Sequence, residues 1–141
     1  IGTNDLGNPG LEPTPTAEEM IDGYKQVIQR VRDADMRIIL GTIPPADGAV
    51  TDGLPLLGPV LGQLSVDIMH GTSAAREARE AINAWIREQT LSDGIVDFAA
   101  CLEDPERPGY IAPEYNSGDY LHPNPAGYAA MAHCVDLELL R

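Results

Sequence analysis

Seven residues, Arg37-Ile38-Ile39-Leu40-Gly41-Thr42-Ile43, constrain this chain more than any others. A short apolar, β-branched run stopped by Pro44-Pro45 is the pattern of a strand buried on both faces of a parallel sheet. Parallel strands need crossover connections, usually helical, so helices are expected on either side. Upstream, Thr16-Ala17-Glu18-Glu19 has capping-box spacing. Met20, Ile21, Tyr24, Val27, Ile28 and Val31 then recur with helical period, which predicts a helix over 17–34. Downstream, Ala78, Ala81, Ile82, Trp85 and Ile86 make the apolar stripe of a second predicted helix, 73–90, with Thr72 or Ser73 at its N-cap.

Ile95-Val96-Asp97-Phe98 reads as another short strand, followed by a loop to residue 122. A last helix is predicted after Asn124-Pro125, with Asn at N-cap and Pro at N1. Its apolar side would include Ala126, Ala129, Ala130, Ala132, Val135 and Leu139. Residues 44–71 read as irregular, with a short helix near 59–69 that the pattern does not place. The opening Ile1–Gly10 is turn-rich and reads as a loop leaving a strand whose residues lie upstream. Residue 1 is Ile, not Met, and the expectation is that N-terminal strands are missing from this chain. The order is therefore (β)-α-β-α-β-α, an α/β fold on a parallel sheet, and 1–141 reads as one domain. Such folds bind ligands beyond the carboxyl ends of their strands.

Charge narrows the function. Nine cations against 22 carboxylates give a net charge of −13, which repels phosphate backbones and anionic membrane surfaces. No nucleic-acid partner and no membrane partner is expected. There is no apolar run of membrane-spanning length and no signal segment. Cys101 and Cys134 lack zinc-ligand spacing; they are either one bridge or two buried thiols. No other cluster has metal spacing, so no metal is expected. His70 and His133 read as isolated surface or core histidines.

Two segments could carry chemistry. In Gly118-Asp119-Tyr120-Leu121-His122-Pro123, the carboxylate can fold back onto the imidazole Nδ1–H three residues on. That would fix the tautomer and free Nε2 as a general base; the bland reading is a brace for the start of the last helix. In Gly2-Thr3-Asn4-Asp5, a carboxamide past a strand end can donate to developing negative charge, or can simply form an Asx-turn. Tyr110, Tyr115, Tyr120 and Tyr128 crowd the first segment. Such rings could stack on a sugar or cover an acyl group, Tyr120 and Tyr115 above all, or could merely pack.

Together the two segments resemble the SGNH (GDSL-type) hydrolase family. Gly2-Thr3-Asn4-Asp5 is similar to the family's G-x-N-D block, and Asp119-Tyr120-Leu121-His122-Pro123 to its D-x-x-H-P block. Asn83-Ala84-Trp85-Ile86-Arg87, Val96-Asp97-Phe98 and Asp104-Pro105 resemble a branch of bacterial acetylxylan-type carbohydrate esterases. The resemblance implies a flavodoxin-like three-layer α/β/α sandwich. It implies a Ser-His-Asp triad containing His122 and Asp119, with Asn4 as an oxyanion donor and no cofactor. The substrate would be a small acyl ester or an acetylated carbohydrate, and the location secreted or periplasmic. The family's G-D-S nucleophile block is not in this sequence. Of the serines Ser65, Ser73, Ser92 and Ser117, none follows Gly-Asp. Ser73 and Ser117 are weak candidates; Ser73 fits a helix N-terminus better. The expected partner is thus an N-terminal companion segment or a second copy of the chain. The rival reading is a catalytically incomplete module that binds carbohydrate or a partner chain.

Overall fold

The computed structural model describes residues 2–7, 15–49 and 69–141. Helix α1 spans Thr3–Gly7 and α2 spans Ala17–Asp33. The capping box forms as the spacing predicts: Thr16 Oγ1 accepts from Glu19 N (3.2 Å), and Glu19 Oε2 accepts from Thr16 N (2.8 Å). Met20, Tyr24 and Ile28 are buried, with Ile21, Val27 and Val31 half-buried beside them. Strand β1 is Ile39–Gly41, and helix α3 is Ser73–Glu88, capped by Thr72 Oγ1 on Ala75 N at 3.1 Å. Helices α2 and α3 pack together, Tyr24 stacking on Trp85 with ring centres 6.1 Å apart. Leu6, Leu40, Ile43, Ile82 and Ile86 complete that core.

The apolar stripe predicted for α3 is rotated. Ala81 is exposed, and Arg79 and Asn83 are buried in its place. The cause is the chain leaving β1, whose next peptide has no strand neighbour at Ile43. Asn83 Oδ1 accepts from Ile43 N (2.7 Å), and its Nδ2 donates to Ile43 O (2.8 Å). A buried peptide left unpaired costs about 1–3 kcal/mol per group, enough to turn a polar residue inward.

Strand β2, Gly94–Val96, pairs in parallel with β1 in the register Ile39–Gly94, Leu40–Ile95 and Gly41–Val96. Both strands are shorter than the apolar runs that predict them. One further bond, Thr42 N to Val96 O (3.0 Å), extends the pairing before Pro44-Pro45 ends it. Thr42 and Asp97 close this carboxyl end: Thr42 Oγ1 donates to Asp97 Oδ1 (2.9 Å) and accepts from Ala99 N (2.8 Å). Among the described residues, no further strand lies on the outer edge of β1 or β2.

Three expectations change. The opening residues 3–7 form α1 rather than an open loop, closed by Leu6 N on Gly2 O (3.1 Å) and by Gly2 N on Asp5 Oδ2 (2.8 Å). The predicted loop to 122 begins with a short helix, α4, Phe98–Leu102, whose N-cap Asp97 accepts from Ala100 N. The last helix, α5, is only Pro125–His133, so Val135 and Leu139 lie beyond it, Leu139 in a single turn of 3₁₀-helix, Leu137–Leu140. Ala126, Ala129 and Ala132 face outward, and only Gly127 is buried, pressed against the Tyr115 carbonyl. The predicted short helix near 59–69 falls almost wholly outside the described residues.

A helix that buries so little needs another anchor. Cys101 of α4 and Cys134 at the end of α5 form a disulfide, with Cα atoms 6.5 Å apart, which decides between the two readings of these cysteines. The bridge closes a loop across 33 positions. Replacing both cysteines by serine is expected to cost about 3–4 kcal/mol, read as a lowered urea midpoint. No helix among the described residues is long and apolar enough to cross a membrane.

Candidate active site

The segment 114–124 is folded by its own side chains. Asn116 Oδ1 accepts from Gly118 N (2.9 Å) and Tyr120 N (3.0 Å), bending the chain through two left-handed residues, Gly118 and Tyr120. Asn124 caps α5 through Gly127 N and also donates from Nδ2 to the carbonyls of Glu114 and Asn116. The loop ends are therefore clamped independently of Asp119 and His122.

Within that clamp, Asp119 Oδ2 lies 2.6 Å from His122 Nδ1. Asp119 Oδ1 accepts from His122 N (2.8 Å), Leu121 N (2.9 Å) and Ser117 Oγ (3.0 Å). Partial burial pushes the Asp119 carboxyl up. The hydrogen bonds outweigh it and hold the group well below the usual carboxylate range. A carboxylate only accepts, so in the neutral ring His122 Nδ1 carries the proton and Nε2 presents a lone pair. The His122 side chain is 65% exposed, so that lone pair is open to an incoming hydroxyl.

Asn4 is exposed in the first turn of α1. Its helix packs against the 3₁₀ turn Met69–Gly71, which carries His70. The imidazole lies against Gly7 of α1, beside the Thr3 backbone, and feels the charge of His122. His70 is thus a partly buried histidine packed against α1. Nothing in the local sequence marks it, because its neighbours in space, Gly7 and Thr3, are more than sixty positions away. Asn116 also escapes a motif search, although an Asn-Ser-Gly triplet is a turn signal. His133 Nδ1 bonds only its own helix, at Ala129 O.

The weak serine candidates fare differently. Ser73 opens α3 and is exposed, next to the N-cap. Ser117 is close to the dyad, but its hydroxyl is given to Asp119, not to the imidazole. Tyr120 is half-buried and packs edge-on against Tyr110, with ring centres 5.8 Å apart, and Tyr115 is half-buried behind α5. A cavity of about 540 Å³ lined by Leu6, Thr16, Ala74 and Ala78 includes neither Asp119 nor His122. Among the described residues no cluster of His, Cys, Asp and Glu could hold a metal ion.

Residues 1–130 match the sequence profile of the GDSL-like lipase/acylhydrolase family. The chain belongs to that family. The fold agrees. A crystal structure of a GDSL-like lipase from Bacteroides thetaiotaomicron superposes with a TM-score of 0.67 at 17% identity, over 99% of this chain and 59% of that one. A proposed platelet activating factor from Streptococcus pneumonia gives 0.61 at 23% identity, over 99% and 56%. This GDSL-like chain therefore spans less than two thirds of the length of either relative. A comparison with curated protein sequences finds no match.

Proposed function

We propose that this chain supplies the base, its orienting acid and an oxyanion donor of a serine esterase. The observation that carries the reading is the 2.6 Å Asp119–His122 contact with the rest of the imidazole open to solvent. His122 Nε2 removes the proton of a serine hydroxyl as that oxygen attacks an ester carbonyl. Asp119 holds the ring and stabilises the imidazolium. Asn4 donates to the oxyanion, and His122 returns the proton to the departing alcohol. Water, deprotonated by the same nitrogen, then cleaves the acyl-enzyme.

The serine comes from outside the described dyad, on an N-terminal companion segment or a second copy of the chain. Strands from that segment would add to the edge of β1 away from β2 and complete a three-layer α/β/α sandwich, in keeping with the greater length of both structural relatives. The substrate is a small acyl ester, an acetylated carbohydrate of the acetylxylan type first. Tyr120 and Tyr115 are the rings available to stack on a sugar. The Cys101–Cys134 bridge supports an oxidising location, secreted or periplasmic.

A second reading has an observation of its own: Ser117 gives its hydroxyl to Asp119, and Ser73 is the first residue of α3, remote in sequence from the dyad. On that reading the chain is an incomplete module that binds carbohydrate or a partner. Turnover of a chromogenic acetate ester, compared between this polypeptide and His122→Ala, separates the two. Activity that disappears in the variant supports the esterase. Equal silence in both, with retained binding to acetylated xylan, supports the module.

A further inference from the structure

We infer that His70 is a positioning residue that holds the Asn4-bearing helix against the end of the molecule occupied by His122, and that it does so only while neutral. The role attached to Asn4 rests on the esterase reading; the positioning itself does not. The geometry is a wedge. The imidazole lies so close over Gly7 that a Cβ there would fall on the ring, and α1 packs along the Met69–Gly71 turn. On the other side, a Cβ on Gly71 would meet the backbone of Gly48 and Ala49 at 3.3–3.4 Å. The turn is thus fitted tightly between α1 and the chain leaving β1.

Among the described residues, Nε2 is buried with no hydrogen-bond partner, and the Thr3 backbone is the polar neighbour that favours the ring's protonated form. Thr3 precedes Asn4, so the seat of the ring against α1 bears on where Asn4 stands. An unpartnered Nε2 is tolerable as a lone pair but not as a buried N–H carrying positive charge. The charged groups that bear on the ring add to this. His122 from the 114–124 loop and Arg79 from α3 both disfavour the protonated form. Asp5, the acid on α1, is turned to Gly2 N. Burial comes first among these causes, and together they hold the His70 pKa below its ordinary 6.5. A histidine depressed on folding contributes stability that is complete above about 6.5 and lost as pH falls through the folded value. The docking of α1 is therefore an acid-sensitive contact.

The test uses the polypeptide as it stands, followed by NMR with amide exchange. His70→Ala is expected to speed exchange at Leu6 and Gly7 roughly tenfold, the scale of one buried hydrogen bond. His70→Asn, whose amide can still face the Thr3 backbone, restores protection and does not titrate. In the unsubstituted chain, the Asn4 and Leu6 signals shift with acid along the His70 titration curve. That curve moves up in His122→Gln. Exchange in His70→Ala equal to that of the unsubstituted chain, or α1 signals indifferent to the His70 titration, would overturn the inference. Neither readout needs ester turnover, so failure of the esterase reading would show separately, in the acetate assay.

Discussion

Asp119→Asn is expected to switch the His122 tautomer and to lower ester turnover roughly 10⁴-fold in the serine-complete enzyme. The substitution is nearly isosteric. The amide oxygen can still accept from Leu121 N and His122 N, so the loop keeps its shape. The changed atom is the one facing Nδ1. An NH₂ group there donates, so Nδ1 must become the acceptor and the proton must sit on Nε2. A base whose lone pair points at its own loop cannot reach a serine. In the isolated chain, nitrogen NMR of His122 reads this change directly, without any nucleophile. An unchanged tautomer in Asp119→Asn would remove Asp119 from its orienting role. The pH dependence has a defined sign. Asp119 is held below the usual carboxylate range, so its bonds are complete above the unfolded value near 3.9. They are lost only as pH falls through the still lower folded value. Acid weakening seen nearer pH 6 would belong to a histidine, not to this carboxylate.

The largest stability effect is expected away from the dyad. Asp47, buried after β1, binds Arg79 at 2.6 Å and Arg76 at 2.8 Å, and its own N–H donates to Gly109 O (2.9 Å). Asp47→Ala would leave the guanidinium of Arg79, a residue only 4% exposed, without its counter-charge. The expected cost is about 3–5 kcal/mol, measured by urea unfolding. Replacing both partners by apolar residues, Asp47→Leu with Arg79→Met, should recover most of it, because no buried charge is then orphaned. The exposed Lys25–Asp22 pair is the control, with a cost of about 0–1 kcal/mol. A loss below about 1 kcal/mol in Asp47→Ala would mean that Arg79 turns to water or to another carboxylate when released.

The same pair shows why reading the sequence succeeds in some places and not in others. The α2 stripe, the Thr16 capping box and the Asn124-Pro125 helix start are local: each is decided by residues within a turn of one another, so their spacing is enough. The Asp119–His122 contact is local in the same way, spanning three positions. Arg79 and Asn83 answer to Asp47 and Ile43, 32 and 40 positions away, and no periodicity reports that demand. Hence Ala81 is misassigned to the core. The thinness of α5 is hidden for a related reason: its alanines look apolar in sequence, yet the helix is held by the Cys101–Cys134 bridge, the Gly127 contact and the Asn124 clamp at its start.

From its order of residues alone, this chain determines an α/β alternation, helix ends with their caps, and a carboxylate set to steer an imidazole. These are consequences of short-range bonding and of period, which a linear pattern records. Tertiary packing alone decided that a histidine at 70 should touch the helix carrying Asn4, that two cysteines should join, and that an arginine should be buried. Those outcomes depend on which distant surfaces meet and exclude water, and one-dimensional order does not encode that separately from the fold.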